Sequence, residues 1–247
     1  MTQPPSRPEA SGPASVSHDA APSNAESASA FAEIAADLAA SDSMDETVEK
    51  VVQFALQAVD CWGAGVLFVH GSSHVESLAS SDPAVEELDE IQFRLGEGPD
   101  VDLLGSRMSV LVEDTRDERR WPRWAAAAAE RGVRSMVGTR LYLSDHVMGS
   151  LNVYDVEPRH FSDADRQVVQ VLATHAAVAL QKVWDSAHLL RALDSRKVIG
   201  MAEGILMERL GLDDEQAFNV LRRYSQDRNI KLRDVAQAVV DTRRLPE

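Results

Sequence analysis

The chain has 247 residues, 44% of them hydrophobic and 26% charged, which is enough length for one or two domains with real cores and an ordinary composition for a globular protein. Its 25 basic and 40 acidic residues leave a formal charge of −15, and so acidic a body disfavours nonspecific nucleic-acid binding, because attraction to phosphate needs a positive field. No apolar run approaches the roughly 20 residues of a membrane-spanning helix, no secretory signal opens the sequence, and the single cysteine, Cys61, excludes an intrachain disulfide; the expected compartment is the cytoplasm.

Residues 1–28 hold five of the ten prolines and no aromatic. They cannot bury enough apolar surface to offset the entropy of ordering, so a disordered tail is expected there. Two helices should follow, "FAEIAADLAAS" and "MDETVEKVVQFALQAVD", both with apolar residues at helical spacing. Asp42 or Ser43 is placed to cap the second, with Glu46 nearby. "GAGVLFVH" reads as a buried strand, "GSS" as a turn and "HVESLAS" as its partner. A helix is predicted from Asp82 as N-cap with Pro83 at its first position, and "GEGP" breaks the chain after it. "SVLVEDT" is a strand, "WPRWAAAAAERG" a helix, and "VRSMVGTRLYL" and "HVMGSLNVYDV" are strands joined by a short turn. Helices followed by a five- or six-stranded, mostly antiparallel sheet predict an α+β fold.

From Ser162 the sequence holds no proline or glycine until Gly200, which predicts one long helix with acidic residues in its first turn. Val169, Leu172, Ala176, Ala179, Val183, Ser186, Leu190 and Leu193 recur at alternating spacings of three and four. Such a heptad seam favours a coiled coil with a partner chain. The early part of the seam is expected to pack on the sheet and the later part to form a homodimer. Beyond it lie three short helices ending at Gly211, at Asn229 as a left-handed stop, and near the C-terminus. Ile199, Leu206, Leu210, Ala217, Phe218, Leu221, Ile230, Leu232, Val235 and Val239 are the expected core of this small bundle, with Met201 and Met207 also placed inside.

No nucleophile elbow, phosphate loop, zinc-protease helix or paired-cysteine spacing occurs, so nothing points to an enzyme, a metal or a cofactor. His70 and His74 flank a turn without a third ligand in view. Phe93, Trp121 and Trp124, with a glycine segment between, are candidates for lining a ligand pocket on one sheet face, equally explained as core packing. The basic residues are more informative. From Asp194 onward ten basic and ten acidic residues balance, so the whole −15 belongs to what precedes, and any nucleic-acid site must be local to the C-terminal bundle. Arg196–Lys197, Arg222–Arg223 and the group Arg228, Lys231, Arg233 come from three neighbouring helices, and two readings are open for them: convergence on one face that holds a phosphate backbone, or a solvated charged face. Gly200 and Gly204 sit inside a helix at about 1 kcal/mol each relative to alanine, a cost that calls for close approach of another helix or of a ligand.

The segment "SRKVIGMAEGILMERLGLDDEQAFNVLRRYSQDRNIKLRDVAQAVV" resembles the ANTAR domain, a three-helix RNA-binding module of bacterial transcription antiterminators. Upstream, "LGEGP", "WPRWAAAAAERGVRS" and "MGSLNVYDVEPRHFSDAD" resemble the GAF sensor domain that precedes ANTAR in many actinobacterial regulators. The chain departs from such GAF domains at Asp100, where a cysteine is common. The resemblance implies a tail over 1–28, a GAF domain over 29–161, a linking and dimerising helix over 162–194 and an ANTAR domain over 195–247. It further implies a dimer that binds RNA with tandem hairpins and prevents a terminator from forming, biased by a small-molecule signal in the GAF domain. Carried over by residue, Arg196, Lys197, Gly200, Gly204, Arg222, Arg223 and Lys231 are the expected RNA contacts. Two other readings stay open at this point: a DNA-binding regulator using the three helices as a helix-turn-helix, and a ligand-binding GAF protein whose tail only dimerises.

Overall fold

The computed structural model describes residues 24–70, 74–105, 108–143 and 146–245. Within these the chain divides into two compact units, one ending at Val183 and one beginning at Trp184.

The first unit is built on strands β1 (Gly63–His70), β2 (His74–Ser80), β3 (Ser109–Val112), β4 (Ser135–Leu143) and β5 (His146–Asp155), with helices α1 (Asn24–Ala40), α2 (Met44–Ala58), α3 (Pro83–Leu95), α4 (Pro99–Gly105), α5 (Pro122–Glu130) and the first half of α6 (Asp163–Leu210). The strands make one five-stranded sheet in the order β2-β1-β5-β4-β3, antiparallel at every pairing. The fold is therefore α+β.

Local chemistry sets the helix starts. Ser43 caps α2 by accepting from the Glu46 amide at 3.2 Å, while the Glu46 carboxylate accepts from the Asp42 amide at 3.3 Å. Asp82 caps α3 through the Ala84 amide at 2.8 Å, with Pro83 at the first position and left-handed Gly96 closing the helix. Lys182 donates to the Ala39 carbonyl at 2.6 Å, placing a positive charge at the C-terminal end of α1, where the helix dipole favours it.

Residues 1–23 of the expected tail lie outside the described residues, while 24–28 belong to α1. Its Ala- and Glu-rich sequence after Pro22 suits a helix. The second departure is α4. "GEGP" does break the chain, but Pro99 opens a seven-residue helix there, too short to leave a periodic apolar signature.

Alternation along the strands puts Met136, Gly138 and Arg140 of β4 and Ser150, Asn152 and Tyr154 of β5 on one sheet face, in register as Met136↔Tyr154, Gly138↔Asn152 and Arg140↔Ser150. Against it pack Leu88 and Ile91 of α3, Leu103 of α4, and Trp124 and Ala128 of α5, all buried. At each such large side chain, burial contributes about 1.5–3 kcal/mol. Gly149 lets β5 approach β1, since a Cβ there would lie 1.8 Å from the Leu67 carbonyl oxygen.

The second unit comprises the rest of α6 with α7 (Asp214–Arg228) and α8 (Leu232–Thr242). Asp213 and Gln216 form a reciprocal capping box at the start of α7, and Asn229 ends it with φ 51°. Its core is Val198, Ala202, Leu206, Ala217, Leu221, Val235, Ala236 and Val239. Leu210, Ile230 and Met201, all expected inside, are instead 56%, 39% and 47% exposed. Leu210 is the last residue of α6, Ile230 lies in the link between α7 and α8, and Met201 lies one position off the buried stripe of α6.

The heptad seam changes character along α6. Val169, Leu172, Ala176, Ala179 and Val183 are buried inside the first unit, whereas Leu190 and Leu193 are 67% and 54% exposed in the second.

Candidate nucleic-acid interface

In the second unit Val198, Ala202 and Leu206 recur every four residues on α6 and are buried in the bundle core. Arg196, Gly200 and Gly204 follow the same spacing on the opposite side, with Lys197 beside them, and all four are exposed. A Cβ built at Gly200 or at Gly204 would meet nothing within 4 Å. No helix of the described chain uses the bare strip these glycines create, so tight packing inside the bundle does not account for their helical cost.

The bundle carries two grooves, of which one reaches the strip at Gly204. One, of about 850 Å³, is lined by Asn219, Arg222, Arg223, Tyr224, Gln226 and Leu245, among others. Asn219, Arg222, Arg223 and Gln226 fall at i, i+3, i+4 and i+7 and are all exposed, so two guanidinium groups and two amides form one polar stripe along the outer side of α7. The other groove, of about 710 Å³, is lined by Met201, Gly204, Glu208, Arg209, Val240 and Arg243. Arg209 there is tied to the backbone carbonyl of Arg243.

Among the described residues, Arg196, Lys197, Arg222, Arg223 and Lys231 have no acidic partner within 4 Å. Two neighbouring cations are engaged within the bundle. Arg233 pairs with Asp194, and the Arg228 guanidinium lies 5.4 Å from the centre of the Tyr224 ring. Tyr224 is half-buried and borders the first groove rather than sitting wholly in the core.

The structure brings the seven expected contacts together only in part. Arg222 and Arg223 share a groove, Gly204 lies in another, and Arg196, Lys197 and Gly200 share the α6 strip with Gly204. Lys231 stands at the N-cap of α8. Sequence reasoning missed Arg209 and Arg243, which adjoin Gly204, and the amides Asn219 and Gln226. The spacing i, i+3, i+4, i+7 on α7 was the available signal for the amides. Nothing in the sequence separated Arg209 and Arg243 from solvated surface charge.

The first unit holds the other candidate residues. Trp121 and Trp124 are buried in its main apolar core, their rings 6.3 Å apart and edge-on at 89°, while Phe93 is half-buried. The backbones of His70 and His74 are paired in register at the ends of β1 and β2.

Residues 41–181 match the sequence model of the GAF domain, and residues 187–240 match that of the ANTAR domain. A nitrate regulatory protein of Klebsiella oxytoca is 31% identical over 81 residues, covering 33% of this chain and 20% of that protein. The chain thus spans about a fifth of the length of that relative. Among solved structures, the GAF domain of an Acinetobacter phosphoenolpyruvate-protein phosphotransferase superposes with a TM-score of 0.54 at 17% identity, covering 66% of this chain and 96% of that one. The corresponding domain from Coxiella burnetii gives 0.53 at 16%, covering 67% and 99%. A bacteriophytochrome from R. palustris gives 0.58 at 10%, covering 83% and 47%. At these identities the likeness is one of fold.

Proposed function

The chain belongs to the GAF domain family and carries an ANTAR domain behind it, and from that premise we propose that it is a transcription regulator, not a catalyst, that binds RNA through the ANTAR bundle. The RNA partner is a transcript segment with two short stem-loops, and a homodimer presents one bundle to each. Arg196, Lys197, Arg222, Arg223 and Lys231 grip phosphates, while Gly200 and Gly204 let loop bases come against the helix. Unpaired loops expose base edges and faces that a duplex hides, so a small module can read them. Binding of the two hairpins prevents a terminator from forming, and the GAF domain biases this outcome.

The observation that carries the proposal is the exposed strip at Gly200 and Gly204, where a Cβ would meet nothing within 4 Å, flanked by cations without acidic partners. Two glycines that weaken a helix and serve no packing inside the bundle suit a surface kept clear for an incoming ligand. The exposed Leu190 and Leu193 fit a second copy of the helix for the dimer. The test is a competition between a synthetic RNA of two stem-loops and a duplex DNA of equal length for the full chain. Preferential displacement by the RNA is expected. Equal displacement, or preference for the duplex, overturns the proposal.

A further inference from the structure

Two aspartates lie inside the first unit on the sheet face covered by α3 and α4. Asp89 of α3 is 1% exposed and Asp100 of α4 is 0% exposed. Neither has a basic group within 4 Å among the described residues. Arg140, buried on the same sheet face, gives its Nε to the Leu103 carbonyl instead. The α5 cations nearest α3 are bound on the outside, Arg123 to Glu97 and Arg131 to Glu87. Glu86 on α3 adds a further negative charge to the surroundings of Asp89. Two ionised carboxylates in such an interior, with no basic group in contact with either, cost far more than hydrogen bonds return.

The hydrogen bonds say where a proton sits. Gln92 accepts from the Asp100 amide through Oε1 at 2.7 Å, which fixes its amide so that Nε2 donates to Asp100 Oδ2 at 2.6 Å. Ser150 donates to Asp100 Oδ1 at 2.6 Å. Asn152 Nδ2 stands 3.0 and 2.9 Å from the two oxygens. Asp100 thus meets two amide donors that cannot accept, besides the Ser150 hydroxyl, and this setting favours its charged form. The neighbours of Asp89 are hydroxyl groups, Tyr154 at 3.1 Å from Oδ1 and Ser77 at 3.2 Å from Oδ2. A hydroxyl can turn and accept, so Ser77 can receive a proton carried on Asp89 Oδ2.

We propose that Asp89 and Asp100 form a buried proton-binding site in the GAF domain, holding one proton on Asp89 and one negative charge on Asp100, and that loss of this proton frees α4 from the sheet. The ligand of this face is then a proton. Asp100 is the second residue of a seven-residue helix whose other anchors are the buried Pro99 and Leu103 side chains and the Arg140 bond to the Leu103 carbonyl. When Asp89 ionises, repulsion between the two carboxylates acts on that short helix more than on thirteen-residue α3, which Val85, Leu88 and Ile91 hold by burial. Burial pushes the Asp89 carboxyl well above the usual carboxylate range, and the Asp100 charge adds to it. Burial also raises Asp100, against the pull of Ser150, Gln92 and Asn152.

The experiment is carbon-13 NMR of the aspartate carboxyl groups in the full chain, with hydrogen-exchange protection of the α4 amides followed from mildly acidic to alkaline pH. One carboxyl resonance in its protonated position at neutral pH is expected, present in wild type and in Ser77→Ala but lost in Asp89→Asn. Protection of the Leu103 amide should fall as that resonance titrates, by tenfold or more, and stay constant in Asp89→Asn. Should Asp89→Asn fail to fold, the wild-type titration alone decides. If every aspartate is ionised at neutral pH, or α4 protection ignores the titration, the proposal is overturned.

Discussion

Replacing both glycines of the exposed α6 strip separates their two possible reasons for being there. In Gly200→Ala/Gly204→Ala each new methyl meets nothing within 4 Å, so no clash opposes the change. Alanine is favoured over glycine in a helix interior by about 0.8–1.0 kcal/mol, which makes the pair worth about 1.6–2 kcal/mol of added stability. At about 1.4 kcal/mol per tenfold, protection of slowly exchanging α7 amides such as Leu221 should rise about 10- to 30-fold if they exchange through opening of the bundle. The same methyl groups stand where a loop base is proposed to lie, so RNA affinity should fall while the fold grows firmer. Hydrogen exchange and fluorescence-anisotropy binding, run on the same preparation, measure both. A variant with firmer amides and unchanged RNA affinity would refute the idea that the strip is kept clear for a ligand. A loss of protection would refute the packing argument itself.

Other outcomes follow from particular contacts. Arg222→Ala should weaken binding to a two-hairpin RNA and reduce the slope of log affinity against log salt by about 0.7–0.9, the loss of one phosphate contact, while changing stability by less than about 0.5 kcal/mol; a salt titration of both proteins checks it. Leu221→Ala empties a fully buried position and should cost about 2–5 kcal/mol, seen as loss of protection in α7 and α8. Leu190→Glu/Leu193→Glu should lower the self-association constant in sedimentation equilibrium, and an unchanged constant excludes this part of α6 from the dimer contact. For Asp89 the native pKa lies above the unfolded one, so the native state holds a proton that the unfolded chain releases. Stability should therefore decline as pH rises from the ordinary carboxylate value of about 3.9 to the raised native value. Asp89→Asn should flatten that decline in denaturant titrations.

Elements whose signal is local were legible in the sequence. The strands show as apolar runs bounded by turns, and the caps Ser43, Asp82, Asp213 and Asn229 stand where the helices begin or end. The α4 helix left no such trace, because seven residues after two glycines and a proline carry no period. The buried polar face was also silent. Asp89, Gln92, Asp100, Arg140 and Asn152 read as surface residues on any hydropathy pattern, and each finds its partner on a different element. For the candidate interface, residue type and spacing pointed to α6 and α7. Which arginines border a common groove depends on how the helices pack, and that is settled by Ala202, Leu221 and Val235 in the core.

Gly98 illustrates how tightly the α3–α4 junction is specified. A Cβ there would fall 2.4 Å from both Cγ and Oε1 of Gln92. Shortening Gln92 would open the space but strip Asp100 of two of its hydrogen bonds. Tolerance at these three positions is therefore collective, not site by site. In a combinatorial library spanning 92, 98 and 100, survivors should appear as matched triplets, and single-substitution scans should understate what the junction can accept, because the energies of residues in one network do not add.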